Sequence, residues 1–260
     1  GLGDVYKRQG DTLREIAHEK AGIMRESIAC ICGEPSEEIR GYLAEEARAH
    51  RTPLRFAQEE IPQVSFRHIG NELIIGHTPF GTLNYQLTAE YQHENALTVM
   101  AAILQLRRQG WSIPDNAVKS GFAGVCTLTG LAGRWMKLAD SPLTIADTGH
   151  NIGGWLHLAP LIAALPKPLT VVLGFADDKD TSDILRLLPE DADYIATQAD
   201  IPRARNAEKL ACQLREAGLK ARPVAGVKRA FDEARAQTPA EGAVFVGGST
   251  YVIADLLKLL

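Results

Sequence analysis

The sequence predicts an α/β protein whose second half is built on a mostly parallel sheet, and three observations lead there. From Leu143 onward, short apolar runs alternate with helix-length stretches joined by short loops. Repeated strand–helix units of this kind imply a parallel sheet covered on both faces, with right-handed connections. Three of the apolar runs end abruptly in polar loops that carry glycine: Asp147-Thr148-Gly149-His150-Asn151, Gly174 to Asp180, and Gly247-Gly248-Ser249-Thr250. In an open α/β sheet these loops share the carboxyl edge of the strands, where such folds bind ligands.

The chain has 260 residues, enough for one large domain or two modest ones. Hydrophobic residues make up 45% and charged residues 23%, the range of a globular protein. A net charge of −4 gives no basic footprint for nucleic acid or an anionic membrane. No apolar run approaches the roughly 20 residues needed to span a bilayer, and the start of the chain has no signal-peptide core. Cys30, Cys32, Cys126 and Cys212 fit no zinc or redox spacing, and the C-x-C pair reads as reduced core. Together these features predict a cytoplasmic protein.

Residues 1–9 have neither helical nor strand periodicity. A helix then opens with a capping box, Thr12 and Glu15, with Asp11 as a competing cap, and stops at Gly22. Leu13, Ile16, Ala17 and Lys20 fall at helical spacing, which puts Lys20 on an apolar stripe. A desolvated lysine can pair with a buried carboxylate, act as a base, or take up carbon dioxide as a carbamate. The alternative is a side chain that snorkels past the helix end. Residues 28–32 read as a buried strand, 35–50 as an amphipathic helix, and 54–57 as another strand. Alternation between Ile61 and Leu87 predicts a hairpin turning at Gly70-Asn71 and a further strand from Phe80. His68 and His77 lie on it and receive no metal role. A long helix follows over about 95–109, then a second to about Ala123 with Ser112 as cap candidate and Pro114 in its first turn. Thr127 to Gly133 reads as a polar connection. The domain boundary is placed between residues 138 and 139.

Strands are expected at 143–146, 169–174, 194–197, 221–224 and 244–246, and helices at 153–164, 181–188, 207–217, 228–236 and 249–259. The stretch 133–154 stands out. Arg134, Asp147 and His150 bring a cation, an anion and a titratable imidazole to one strand end. The alternative is a plain turn in which Asp147 caps the next helix. The sequence holds no G-x-x-x-x-G-K-[ST] loop, no G-x-G-x-x-G after a strand, no G-x-S-x-G elbow and no H-E-x-x-H helix.

Taken together, several short motifs resemble those of the folylpolyglutamate synthase/dihydrofolate synthase branch of the Mur ligase family. They are Gly10-Asp11-Thr12, Glu19-Lys20-Ala21-Gly22-Ile23, Gly133-Arg134-Trp135, Asp147-Thr148-Gly149-His150-Asn151, Asp178-Lys179-Asp180 and Gly247-Gly248-Ser249. Order and spacing match from about residue 10 to the end. The resemblance implies the remainder of a P-loop-type ATPase domain followed by a Rossmann-like domain. It implies an ATP- and Mg2+-dependent ligase that activates a pteroate or folate carboxylate as an acyl phosphate and joins it to L-glutamate. By position, Lys20 resembles the family's carbamylated, magnesium-holding lysine, and Asn95 its nucleotide-contacting asparagine. Arg134 resembles the interdomain arginine that reaches the ATP phosphates. Asp147 resembles the aspartate at the ribose, and His150 would lie near the phosphates or the glutamate. Asp180 and Ser249 are candidates for the amino-acid site. The implied partners are these small molecules, with no nucleic acid or membrane, and a monomer is the default.

The sequence also departs from the family. The family's phosphate loop and magnesium-binding glutamate have no counterpart here. An Asp-His pair expected fifteen and sixteen residues before the lysine reads Asp4-Val5. The motif after Asp147 reads Thr-Gly-His-Asn-Ile where many relatives read Ala-His-Asn-Pro. Residues 1–9 are therefore expected to be non-native, and the chain is expected to be inactive alone. The rivals are another Mur-type ligase and a non-catalytic nucleotide-binding module; a nicotinamide-dependent oxidoreductase is more distant, lacking the glycine fingerprint.

Overall fold

The computed structural model describes residues 12–33, 35–69 and 72–259. The proposed non-native segment 1–9, the Asp4-Val5 and Gly10-Asp11 positions and the Gly70-Asn71 turn lie outside the described residues. The chain forms two compact units, the first ending at Leu128 and the second beginning at Thr129.

In the first unit, α1 (Leu13–Ala21) starts as expected. The Thr12 side chain accepts from the Glu15 N–H, and the Glu15 side chain accepts from the Thr12 N–H. Its packing face differs from the expected one. Leu13 and Ile16 are 66% and 37% exposed, and Lys20 is exposed with them. Ala17 and Ala21 are the buried residues of α1. With Met24 they meet Leu43 and Ala47 of α2 (Glu37–Ala49). Two alanines let the helices approach closely, so the small face wins over the larger apolar one. Lys20 therefore does not lie on a buried stripe.

The strands β1 (Cys30–Cys32) and β2 (Leu54–Phe56) pair in parallel, and α3 (Ala57–Glu60) follows directly. Then β3 (Ser65–Ile69), β4 (Glu72–Thr78) and β5 (Gly81–Tyr85) form an antiparallel sheet. Leu73, Ile75, Leu83 and Tyr85 of this sheet pack on Ala96 and Met100 of α4 (Gln92–Arg108) and on Val118 and Phe122 of α5 (Asp115–Ala123). Pro114, not Ser112, occupies the cap position of α5. Part of the expected polar connection is helical, as α6 (Val125–Thr129).

The second unit is a six-stranded sheet ordered β10-β9-β8-β11-β7-β6, with β6 (Met136–Asp140), β7 (Leu143–Ala146), β8 (Leu169–Leu173), β9 (Ala192–Ala196), β10 (Lys220–Pro223) and β11 (Ala243–Gly247). Every pair is parallel except β6 with β7. Because β6 pairs with β7, it belongs to the second unit, and the boundary falls ten residues upstream of the expected 138/139. The helices are α7 (Ile152–Ala163), α8 (Ser182–Arg186), α9 (Ala207–Glu216), α10 (Val227–Gln237) and α11 (Thr250–Leu257). Residues such as Ala146, Val172, Val244 and Val246 face α10 and α11. Phe245, one register position away, turns to Trp155 of α7, with ring centroids 6.2 Å apart. Both faces are thus covered, which accounts for the fully buried β8 and β11. Chain order runs outward from β7 through β8, β9 and β10, then reverses to insert β11 between β7 and β8. That insertion makes a topological switch point.

Two tests follow. In the first unit, Arg55 and Arg108 hold Glu60 at 2.8 and 2.6 Å. Burial alone would raise the Glu60 carboxyl, but hydrogen bonds and charge from the two arginines outweigh it and hold its pKa below the usual range. The folded state then binds fewer protons at this group than the unfolded chain. The resulting stability is complete above the unfolded value of about 4.3 and is lost as pH falls through the lower folded value. Thermal unfolding followed against pH should show a flatter acid limb in Glu60→Gln than in the wild type; parallel limbs would refute the linkage. In the second unit, Gly248 has φ +95°, and a Cβ there would stand 2.7 Å from the Gly174 carbonyl oxygen. Gly248→Ala should cost at least about 2 kcal/mol, read by urea unfolding with tryptophan fluorescence.

Candidate functional site

The three polar strand ends lie on adjacent strands at the carboxyl edge of the second unit's sheet, as expected from the sequence. Backbone hydrogen bonds tie them together. The Asp147 N–H donates to the Val246 carbonyl at 3.0 Å, and the Gly174 N–H donates to the Gly247 carbonyl at 3.2 Å. Gly248 lies close against Gly174 and Phe175. The ends of β7, β11 and β8 are therefore one continuous backbone surface.

Asp147 is 3% exposed at the end of β7. It does not cap the next helix. Asn151 does, its side chain accepting from the Gly154 N–H at 2.8 Å. The Asp147 carboxylate accepts the Trp135 N–H on Oδ2 and the Gly149 N–H on Oδ1, both at 2.7 Å. Trp135 has φ +49°, a left-handed conformation that a bulky side chain adopts at a cost of about 1–2 kcal/mol. The Asp147 hydrogen bond helps hold it there.

Arg134 sits immediately before this tryptophan. Its Nη1 donates to the Thr148 hydroxyl and, at 3.3 Å, to the Gly133 carbonyl. Thr148 in turn is buried, and both its N–H and its hydroxyl donate to the Gly133 carbonyl, at 2.9 and 3.1 Å. Gly133 has φ +72°, and a Cβ there would stand 2.6 Å from Thr148 Cγ2. The Gly-Arg pair is thus glycine first for a conformational and a steric reason. Arg134 remains exposed, and its guanidinium is reachable by an anion. His150 is also exposed; its Nδ1 is 3.1 Å from the Thr148 carbonyl, a contact in which Nδ1 carries the proton, so that Nε2 is the acceptor nitrogen of the neutral ring.

Ser249 caps α11, its side chain accepting from the Tyr251 N–H at 3.2 Å, and is 6% exposed. Its hydroxyl hydrogen is still available to donate. Asp180 is exposed and accepts the Ser182 N–H at 2.9 Å; that bond, with the Ser182 side chain and the charges of Arg205 and Arg186, holds its pKa below the usual range. The structure brings Arg134, Asp147, His150, Asp180 and Ser249 to one sheet edge.

Lys20 and Asn95 lie in the first unit. Lys20 is exposed in the last turn of α1, and Asn95 is exposed in the first turn of α4, where its Nδ2 donates to Gln92 Oε1 at 2.9 Å. Among the described residues, no group of three or more His, Cys, Asp and Glu side chains is arranged to hold a metal ion. Lys20 as a carbamate would be one oxygen ligand and does not make a magnesium site by itself. Among the described residues no helix is long and apolar enough to cross a membrane.

Two groups of this edge escaped the sequence reading. Thr148 stands within a quoted motif but carries no role there. Arg205, 3% exposed, lies in the connection between β9 and α9, and its guanidinium reaches the loop after β8. No periodicity marks it, since the two arginines of Pro-Arg-Ala-Arg-Asn read as solvated charge.

No family model matches the chain. Among curated proteins, it is 29% identical over 260 residues to the dihydrofolate synthase/folylpolyglutamate synthase of Escherichia coli K12, covering 96% of this chain and 56% of that protein. It is 24% identical over 268 residues to the folylpolyglutamate synthase of Lacticaseibacillus casei, covering 99% and 60%. Among solved structures, it matches E. coli FolC in complex with DHPP and ADP with a TM-score of 0.76 and 26% identity, over 98% of this chain and 58% of that one. The chain thus spans between half and two thirds of the length of these relatives. Curated and solved relatives agree with each other and with the motifs, and the family to which this chain is similar along nearly its whole length is folylpolyglutamate synthase/dihydrofolate synthase.

Proposed function

We propose that the chain is part of an ATP-dependent ligase that joins L-glutamate to dihydropteroate, to tetrahydrofolate, or to both, through an acyl phosphate. The observation that carries this reading is the carboxyl edge. A buried aspartate and an exposed arginine share one corner of the sheet, and Ser249 and Asp180 follow on the next two strands. In this reading Asp147 accepts from the nucleotide ribose, and Arg134 supports the phosphates as charge shifts during transfer. Asp180 and Ser249 receive the amino acid, a carboxylate for its ammonium group and a hydroxyl for its carboxylate. His150, with Nε2 as acceptor, is suited to take a proton from the attacking amine. Magnesium, when bound, would neutralise phosphate charge, with carbamylated Lys20 as one of its ligands.

The relatives' names support the reading. The E. coli relative carries both synthase activities in its name. A glutamate-dependent ATPase assay of the complete gene product should show turnover with dihydropteroate or tetrahydrofolate and none with a cell-wall nucleotide precursor. The opposite preference would move the chain to another Mur-type branch. Residues 1–260 alone should show no turnover, because the sequence has no phosphate-cradling P-loop.

Asp147 has a second, separable consequence. Removing its carboxylate leaves two main-chain N–H groups without their acceptor. Asp147→Ala should therefore lower the stability of the second unit by about 2–4 kcal/mol, measured by urea unfolding of residues 1–260. Wild-type stability in this variant would show that the carboxylate does not clamp the turn.

A further inference from the structure

We propose that Arg205 is the positioning residue of the amino-acid subsite, acting through the loop after β8. This inference rests on the assignment of that edge to L-glutamate.

The loop from Phe175 to Thr181 carries Asp177, Asp178, Lys179 and Asp180 and has little secondary structure of its own. It is held from the side by the connection that leads into α9. The Arg205 N–H donates to the Phe175 carbonyl at 2.9 Å, the Asp177 N–H donates to the Arg203 carbonyl at 2.9 Å, and Ala176 forms an antiparallel bridge with Ala204. The Arg205 side chain then turns under the loop. Its guanidinium donates to the carbonyls of Ala176, at 3.4 Å, and of Lys179. It also donates to Thr181 Oγ1 at 2.6 Å and to Gln213 Oε1 of α9 at 3.0 Å. Nε lies 3.7 Å from Asp177 Oδ1, and Asp177 is itself paired with Lys209 at 2.7 Å.

One planar cation therefore grips both ends of the loop and anchors it to a helix. Asp180 lies between two of its points of attachment, Lys179 and Thr181. The neighbouring strand end carries Ser249 and touches the start of the same loop through Gly248. The spacing between the Asp180 carboxylate and the Ser249 hydroxyl is thus set by Arg205, which lies too deep to meet a ligand. Burial lowers the Arg205 pKa, and the carboxylates of Asp177, Asp180 and Asp178 oppose that shift. An arginine in this place stays charged at neutral pH. Lysine could not replace it, since a single ammonium cannot reach four acceptors spread over a fork.

The test is steady-state kinetics of the complete gene product, comparing wild type with Arg205→Lys, and with Thr181→Val as a milder variant that removes one acceptor and keeps the side-chain shape. Hydrogen exchange of residues 176–181 is measured on the same samples. KM for L-glutamate should rise at least about tenfold in Arg205→Lys, and less in Thr181→Val, with KM for ATP and kcat within about threefold of wild type. Faster exchange in the loop should accompany it. If Arg205→Lys fails to fold, Thr181→Val decides alone. An unchanged KM for L-glutamate in a loop that exchanges faster overturns the proposal and leaves Arg205 a purely structural residue. Equal losses for glutamate and ATP overturn it as well. A wild-type protein with no glutamate-dependent turnover would instead refute the assignment of the edge to glutamate, and this inference with it.

Discussion

The carboxyl edge of the second unit depends on one buried carboxylate. Asp147 gathers two main-chain N–H groups, from Trp135 and Gly149, that have no partner in the sheet ladder or in α7. The aspartate at this strand end is a clamp and not a cap: it fastens the start of the edge strand β6 to the turn that leaves β7. Arg134 precedes Trp135, so the clamp also fixes where the arginine's backbone lies relative to Thr148. Arg134 and Asp147 therefore belong to one rigid corner inside the second unit. The sequence reading assigned them to two different domains.

The same accounting governs the other side of the edge with the charges reversed. Loops at a strand end leave backbone polar groups without sheet partners, and buried ones need substitutes. Asp147 collects donors and Arg205 collects acceptors. Each does with one ionised side chain what several neutral groups would otherwise do, and hydrogen bonds to charged partners are the stronger kind. Between them, Gly248 allows the β11 end to lie flush against the β8 end. The edge is thus a braced surface at a topological switch point, with β11 inserted between β7 and β8.

Where burial on both faces forces a pattern, the sequence could be read. β8 and β11 are buried at every residue, so their apolar runs are unmistakable, and the helices between them carry clear stripes. The edge strand β6 gives only a weak signal, because Met136 to Asp140 is a short, mixed run in which half-buried Met136, Leu138 and Ala139 alternate with exposed charge. The face of α1 was misread for the opposite reason. Leu13 and Ile16 supply the larger hydrophobic signal, yet Ala17 and Ala21 make the contacts, and Lys20 follows the exposed face. Of the candidate site residues, those of the second unit announced themselves as polar residues at strand ends. Arg205 gave no such signal, because its meaning depends on a loop about thirty residues away that only tertiary structure brings to it.

Rigidity at this edge bears on what it can do. A ligase of the proposed kind must hold an amine against an activated carboxyl group while charge builds on phosphate, and fixed donors and acceptors are most effective when they need no rearrangement. The groups offered to ligands here, Arg134, His150 and Asp180, are exposed, but the backbone beneath each is pinned by buried polar residues, Thr148, Asp147 and Arg205. Substituting an exposed group removes one contact. Substituting a buried one moves several contacts together and lowers stability as well. Function and fold are therefore hardest to separate at Asp147, where the carboxylate proposed to meet the ligand is also the one that closes the turn.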